Sequence, residues 1–77
     1  MLELYGTARC PYTAELRESL RWRAETFVEH DVEADAEAFA RMLALRDGDT
    51  TIPVLVDDGR VASVGFQGRT CYAGRNA

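Results

Sequence analysis

Residues 2–13 read LELYGTARCPYT and contain the passage from a strand into a helix on which the rest of the architecture depends. Apolar and polar residues alternate over the first positions, as in a short strand, and Gly6 then marks a turn. Pro11 is favoured at the first position of a helix, and leucines four residues apart continue a helical pattern over residues 12–24. The pattern therefore places Cys10 directly before the first turn of a helix.

The remaining periodicity predicts four more elements. A strand, a helix and two further strands are expected, in that order, over residues 26–32, 35–46, 54–56 and 61–64. The last two strands flank residues 57–60, Asp-Asp-Gly-Arg, whose acidic pair we assign to hairpin-turn chemistry rather than to acid–base catalysis. The apolar face of the second helix is predicted to contain Ala36, Phe39, Ala40, Leu43 and Ala44.

This element order predicts an α/β fold with a mixed four-stranded sheet. The first strand, helix and second strand form a parallel unit, and the hairpin adds an antiparallel pair, so helices are expected to flank the sheet. The glycine-containing tail, residues 66–77, predicts a final helix that is short or absent. A chain of 77 residues has room for one domain, expected to span residues 1–77.

Charge and composition argue against several classes of function. Nine basic and thirteen acidic residues give a formal net charge of −4, the opposite of a nucleic-acid or anionic-membrane binder. The chain lacks an apolar run near the ~18 residues of a membrane span and begins without a secretory leader. We therefore expect a cytoplasmic protein whose two cysteines are reduced. His30 has no neighbouring ligand that would suggest a metal site, and Trp22 is expected to pack at the end of the first helix.

Residues 10–13, Cys-Pro-Tyr-Thr, have the form of a Cys-x-x-Cys redox motif with Thr13 in the second place. At a helix N-terminus, free amide groups and the helix dipole favour the thiolate of Cys10, which is the reactive form. Arg9, if turned inward, and the hydroxyl of Thr13 would support that thiolate. Because threonine cannot resolve a mixed disulfide, the second thiol must come from a small thiol such as glutathione or from Cys71, unless Cys10 is structural.

Four short motifs, taken together, closely resemble the glutaredoxins. They are Tyr5, Cys-Pro-Tyr at residues 10–12, Thr-Ile-Pro at residues 51–53 and Val-Gly at residues 64–65. Glutaredoxins show Tyr-x-x-x-x-Cys-Pro-Tyr-Cys, then Thr-Val-Pro, then a Gly-Gly pair after the fourth strand. The resemblance covers nearly the whole chain. It implies a thioredoxin-like fold in which Cys10 attacks a glutathionylated protein or a small disulfide.

The resemblance also implies a glutathione site around the nucleophile. The peptide bond between Ile52 and Pro53 would be cis, so that the backbone of Ile52 pairs with the peptide backbone of glutathione like an added strand. The loop after Gly65 would offer amides to the γ-glutamyl carboxylate. The expected glutathione- or substrate-binding residues, including the threonine that stands where glutaredoxins carry a lysine, are Thr7, Tyr12, Thr51, Ile52, Pro53, Gly65, Phe66 and Gln67.

We therefore predict a one-thiol oxidoreductase that acts as a monomer on protein mixed disulfides, with glutathione as co-substrate and no metal, nucleic acid or membrane as partner. One alternative is a dimer that holds a [2Fe-2S] cluster through one Cys10 from each subunit and two glutathiones. Pro11 argues against this cluster-binding alternative, because cluster-binding relatives carry a glycine at the position after the cysteine. Another alternative is a thioredoxin-fold binding module with little turnover.

Cys71, in the tail, has two interpretations. It is a resolving thiol if its Cα atom can approach that of Cys10 to within ~7 Å. Otherwise it is a packing or surface cysteine, which is the interpretation we favour from the sequence.

Overall fold

The computed structural model describes residues 1–74. Its elements are, in chain order, β1 (Leu2–Gly6), α1 (Pro11–Trp22), β2 (Phe27–Asp31), α2 (Ala36–Leu45), β3 (Thr51–Ile52), β4 (Val54–Asp57), β5 (Arg60–Val64) and β6 (Cys71–Tyr72). Four of them form a sheet in the order β2-β1-β4-β5. The β1–β2 pair is parallel, and the other two pairs are antiparallel. The structure thus confirms the predicted mixed four-stranded sheet with helices.

The described part of the tail, residues 66–74, contains no helix, in agreement with a final helix that is short or absent, and residues 75–77 lie outside the described residues. The tail contains β6 instead, which was not predicted and which pairs antiparallel with β3 in a separate two-stranded sheet. A strand forms here because backbone groups of the tail find partners on the free edge of β3.

The first helix packs on the sheet through the predicted leucines. Leu16 and Leu20 of α1 are buried with Leu4 of β1 in one core cluster. Trp22, expected to pack, instead has 88 % of its surface exposed, so that expectation is wrong.

No helix within residues 1–74 has the length and apolar character that a membrane crossing requires.

The second helix buries a different face from the one predicted. Its fully buried residues are Ala38 and Met42, four positions apart, and Phe39 packs against them from a half-buried position. Three alanines of the predicted face are exposed instead, namely Ala36, Ala40 and Ala44. Alanine carries too little apolar surface to orient a helix against the larger gain from burying methionine.

The second core cluster lies on the α2 side of the sheet. It includes Tyr5 of β1, Val54 and Val56 of β4, and also Cys10. The cysteine that the sequence marks as reactive is therefore part of the packed interior in this structure, with only 2 % of its surface exposed.

The end of β1 and the first turn of α1 meet without space between them. A Cβ atom added at Gly6 would lie 2.5 Å from the Thr13 Oγ1 atom, and closer still to its Cγ2. Thr13 is fully buried in this contact. Glycine at position 6 thus lets the loop that carries Cys10 turn tightly into the helix.

We expect Gly6→Ala to lower the free energy of unfolding by about 1–3 kcal/mol, the usual cost of overpacking a tight interior site. Thr13→Ala removes both atoms that the new methyl group would meet, leaving the Thr13 Cβ at 3.0 Å. Gly6→Ala should therefore cost much less when introduced into Thr13→Ala than into the wild type. Urea unfolding of the four proteins measures this coupling, and equal costs in both backgrounds would contradict the assigned contact.

Candidate active site

Cys10 is the N-cap residue directly before α1, as the sequence predicted, with extended backbone dihedrals. Its sulfur forms a disulfide with Cys71, and the two Cα atoms lie 6.2 Å apart. The expectation of two reduced cysteines is therefore not met here, and Cys71 is more than a packing or surface residue. The two cysteines are 61 positions apart in the chain, so only the fold brings them together.

The tail reaches Cys10 by adding itself to the edge of β3. Ile52 pairs with Cys71 in the ladder, and beyond it the amide of Ala73 donates to the carbonyl of Thr50 over 2.9 Å. Hydrogen-bonded pairs alternate in an antiparallel ladder, so Ile52 and Cys71 form the next hydrogen-bonded pair. The backbone edge of Ile52, which the resemblance assigned to glutathione, is thus occupied by the chain's own tail.

The strand β3 is held in place on both sides of its two residues. The Ile52–Pro53 peptide bond is cis, and both residues are buried. The Asp49 carboxylate accepts hydrogen bonds from the amide and the hydroxyl of Thr51, at 2.9 and 2.8 Å. These bonds, together with the charge of Arg46, lower the pKa of Asp49.

Arg9 does not turn inward towards Cys10. Its guanidinium makes a two-pronged ion pair with Glu33, with Nε–Oε1 and Nη2–Oε2 distances of 3.0 and 2.6 Å, and reaches the carbonyl of Tyr72 at 3.4 Å. The hydrogen bonds with Glu33 raise the pKa of the Arg9 guanidinium above its already high ordinary value. Its predicted role in supporting the thiolate is therefore replaced by a contact with the tail.

Glu33 binds the tail as well. Its Oε2 atom accepts a hydrogen bond of 3.0 Å from the backbone amide of Gly74, and its own amide donates to the Asp31 carboxylate in the loop after β2. We call the Arg9–Glu33 pair, with its bonds to Tyr72 and Gly74, the tail clasp. The sequence analysis missed Glu33 because an acidic residue in a loop between a strand and a helix carries no local signal of a partner 41 positions away.

Two threonines near the nucleophile are buried with unpaired hydroxyls. The Oγ1 atoms of Thr7 and Thr13 have no hydrogen-bond partner among the described residues, and each side chain is at most 1 % exposed. Thr13 therefore makes no hydrogen bond to the Cys10 sulfur in the disulfide form, and its support of the thiolate in the reduced protein stays a prediction. Thr7 does not offer its hydroxyl at the surface, where a glycyl carboxylate would be bound.

The loop after β5 uses its first amides internally. Gly65 donates to the carbonyl of Pro53 over 2.7 Å, and Phe66 donates to the carbonyl of Arg69 over 2.8 Å. The amides of Gly65 and Phe66, which were expected to bind a γ-glutamyl carboxylate, are therefore already paired. Gln67 is exposed and has a positive φ of 53°. Tyr12 is half-buried, and the Arg69 guanidinium lies 6.0 Å from its ring centre.

Within the described part of the chain, no group of three or more histidine, cysteine, aspartate or glutamate side chains could hold a metal ion. His30, predicted to be structural or exposed, is half-buried: its Nε2 atom lies 3.0 Å from the Glu3 carboxylate, and its ring stacks on Tyr5 at 4.7 Å between centres. Its contacts thus tie β2 to β1 on the α2 side of the sheet.

Comparison with known proteins agrees with this geometry. A family model described as Glutaredoxin matches residues 2–62. Crystal structures of the thioredoxin-like protein BC3987 and of a mutant of it are each 34 % identical to this chain, with a TM-score of 0.76. The alignments cover 87 % of this chain and 89 % and 88 % of those two chains. No curated protein matches the sequence. The family match includes Cys10 and Pro53 but ends before Cys71.

Proposed function

The chain belongs to the glutaredoxin family, and on that premise we propose that it is a thiol–disulfide oxidoreductase with two working cysteines, Cys10 as nucleophile and Cys71 as resolving thiol. The observation that carries this proposal is the Cys10–Cys71 disulfide, whose 6.2 Å Cα separation lies in the ordinary range for disulfides. The motif alone predicts a one-thiol mechanism because of Thr13. A cysteine from the tail takes the place of the one that the motif lacks.

The reaction consists of two thiol–disulfide exchanges. The Cys10 thiolate attacks one sulfur of a substrate disulfide, forming a mixed disulfide and releasing the other sulfur as a thiolate. The Cys71 thiolate then attacks the Cys10 sulfur, forming the internal disulfide and releasing the first substrate thiolate. The substrate gains two electrons, the two cysteines lose them, and the protons lost by the cysteines are taken up by the substrate thiols.

The position of Cys10 suits it for the first step. It stands at the start of α1, where first-turn amide groups have no acceptor within the helix and the dipole presents its positive end. Both favour the thiolate over the thiol in the reduced protein. Cys71, half-buried in β6, does not itself begin a helix, so the nucleophilic role falls to Cys10.

We further propose that glutathione is the reductant and that protein mixed disulfides are substrates. One glutathione thiolate opens the internal disulfide by forming an adduct on one cysteine, and a second releases oxidised glutathione and restores the dithiol. Since β6 lies along Ile52, glutathione and the tail would use the same backbone edge in turn. The tail must therefore leave β3 before glutathione can pair there.

Mass spectrometry after treatment with oxidised glutathione tests the proposal. Reduced wild-type protein, quenched with acid, should end as the internal disulfide, while Cys71→Ser should retain one glutathionyl group on Cys10. Cys10→Ser should lose the rapid reaction at position 10 altogether. A stable glutathione adduct on wild-type Cys10, without closure to Cys71, would support the one-thiol mechanism instead and overturn this proposal.

A further inference from the structure

The tail clasp joins the two sides of the disulfide through groups that take no part in the chemistry. Arg9 directly precedes Cys10, and the backbone groups of Tyr72 and Gly74 follow Cys71. Glu33 lies between them and binds both, at 2.6 Å from the Arg9 Nη2 atom and 3.0 Å from the Gly74 amide. From this geometry we infer that Arg9 and Glu33 are positioning residues that hold the tail so that Cys71 reaches Cys10. The inference rests on the proposed function of Cys71.

Among residues 71–74, few other contacts hold the tail. β6 is two residues long and pairs with the equally short β3. Ala73 is buried in the core and Cys71 packs against it, whereas Tyr72 is 70 % exposed. A short strand with few buried contacts docks weakly once the covalent bond is open. Charge-assisted hydrogen bonds, which are stronger than neutral ones, supply the missing attachment.

The Arg9–Glu33 ion pair also has a geometry that suits it to holding the tail in position. Arginine and carboxylate meet through two parallel hydrogen bonds, which fix their relative orientation as well as their distance. The Glu33 side chain is only 22 % exposed. The backbone amide of Glu33 donates a hydrogen bond to the Asp31 carboxylate, which helps to fix the loop that carries Glu33. The carboxylate is therefore a rigid anchor on the sheet side, to which both the Cys10 loop and the tail attach.

The step that the clasp serves is closure of the internal disulfide. In a Cys10–glutathione adduct, the Cys71 thiolate attacks the Cys10 sulfur, the new bond forms, and glutathione leaves as a thiolate that takes up the proton lost by Cys71. No net oxidation occurs in this step. Its rate and equilibrium depend on the effective concentration of Cys71 at Cys10, which docking of the tail raises.

Equilibration in glutathione buffers measures that effective concentration. Wild type, Glu33→Gln and Arg9→Gln are incubated at a series of reduced-to-oxidised glutathione ratios, quenched with acid, and scored by mass for dithiol, adduct and internal disulfide. We expect the ratio of internal disulfide to adduct to fall at least about fivefold in both variants, because each loses charge-assisted bonds to the tail. Arg9 is largely exposed, so Arg9→Gln keeps the test valid should Glu33→Gln fold poorly.

The matched control is Glu29→Gln. Glu29 forms a similar two-pronged pair with Arg17, at 2.7 and 2.6 Å, which joins β2 to α1. Glu29→Gln removes a comparable ion pair elsewhere on the protein. The ratio of internal disulfide to adduct should therefore stay at the wild-type value in this variant. Equal behaviour of Glu33→Gln and Glu29→Gln would overturn the clasp, whereas a wild type that never closes its disulfide would overturn the proposed function itself.

A second readout separates positioning from support of the thiolate. In a Cys71→Ser background, the rate at which Cys10 takes up glutathione from oxidised glutathione no longer depends on closure of the internal disulfide. Glu33→Gln and Arg9→Gln should not slow that uptake, because Arg9 is turned away from the Cys10 sulfur and a tail that leaves β3 more often frees the backbone edge of Ile52. A large slowing in this background would show that Arg9 acts on the thiolate and would contradict its assignment to the tail.

Discussion

Cys10→Ser is expected to reduce thiol–disulfide exchange to the uncatalysed rate, a loss of at least about a thousandfold, since the covalent nucleophile is removed. Serine keeps the size of the side chain, but its hydroxyl is not ionised at neutral pH and does not attack sulfur. The measurement is glutathione-dependent reduction of a glutathione mixed disulfide, followed alongside reduction of a disulfide-bonded peptide. Activity of Cys10→Ser near that of the wild type in either assay would exclude Cys10 as the nucleophile.

The comparison with Cys71→Ser makes this experiment more informative. That variant keeps the first attack but must await a second glutathione to release the bound substrate. It should therefore still exchange glutathione, while reduction of the peptide disulfide falls at least about tenfold. If Cys71→Ser matched the wild type in both assays, the one-thiol mechanism predicted from residues 10–13 would hold.

Opening the disulfide should cost the protein a large part of its stability. The bond closes a loop with a sequence separation of 61 residues, for which the chain-entropy account gives roughly 4 kcal/mol, within a usual range of about 2–5 kcal/mol. A chain of 77 residues has a thin core, so this is a substantial share of its total. We expect urea unfolding midpoints of the oxidised and reduced wild type to differ by more than about 1 M.

Reduction should nevertheless leave the four-stranded sheet folded. Leu4, Leu16 and Leu20 pack between α1 and the sheet in a cluster that contains none of residues 71–74. Besides the lower unfolding midpoint, reduction should let the tail open locally, seen as faster hydrogen exchange at the Ala73 amide, which donates to the Thr50 carbonyl. Cys71→Ser, which has no disulfide to lose, should unfold at the same urea concentration with and without reductant. A reduced wild type as stable as the oxidised one would contradict the assigned disulfide.

The predicted losses of activity and of stability describe a tail that both takes part in the reaction and covers the backbone edge of Ile52. When bonded, it stabilises the fold and occupies the backbone edge of Ile52. In the proposed mechanism, the reduced tail supplies a thiol and, on leaving, exposes that edge. The proposed clasp would then affect how long the edge stays open as well as how fast the disulfide closes.

The elements that could be predicted from the sequence are those with a local cause. Alternation of apolar residues indicated the strands, and Pro11 marked the start of α1 and so placed Cys10 at its N-terminus. Both features are encoded within a few residues, so they survive without knowledge of the rest of the chain. The short strand Thr51–Ile52 was not predicted, because its pairing partner is the distant segment Cys71–Tyr72.

The buried face of α2 could not be predicted from the sequence, and the reason is physical. Small alanines are spread around this helix, and they differ too little in apolar surface to mark one side. Only packing against Val54 and Val56 of the sheet selected Ala38 and Met42 for burial. Amphipathic periodicity orients a helix when its large residues share a face, as Leu16 and Leu20 do on α1.

The sequence by itself determined the order of the two helices and of the strands of the four-stranded sheet, the family, and the position of Cys10 at the start of a helix, because short-range patterns encode all three. Only the tertiary structure decided the partners: Cys71 for Cys10, Glu33 for Arg9, and the tail for the edge of Ile52. These pairings join residues at least 19 positions apart in the chain. No local periodicity records such a pairing, because it depends on how the whole chain closes on itself.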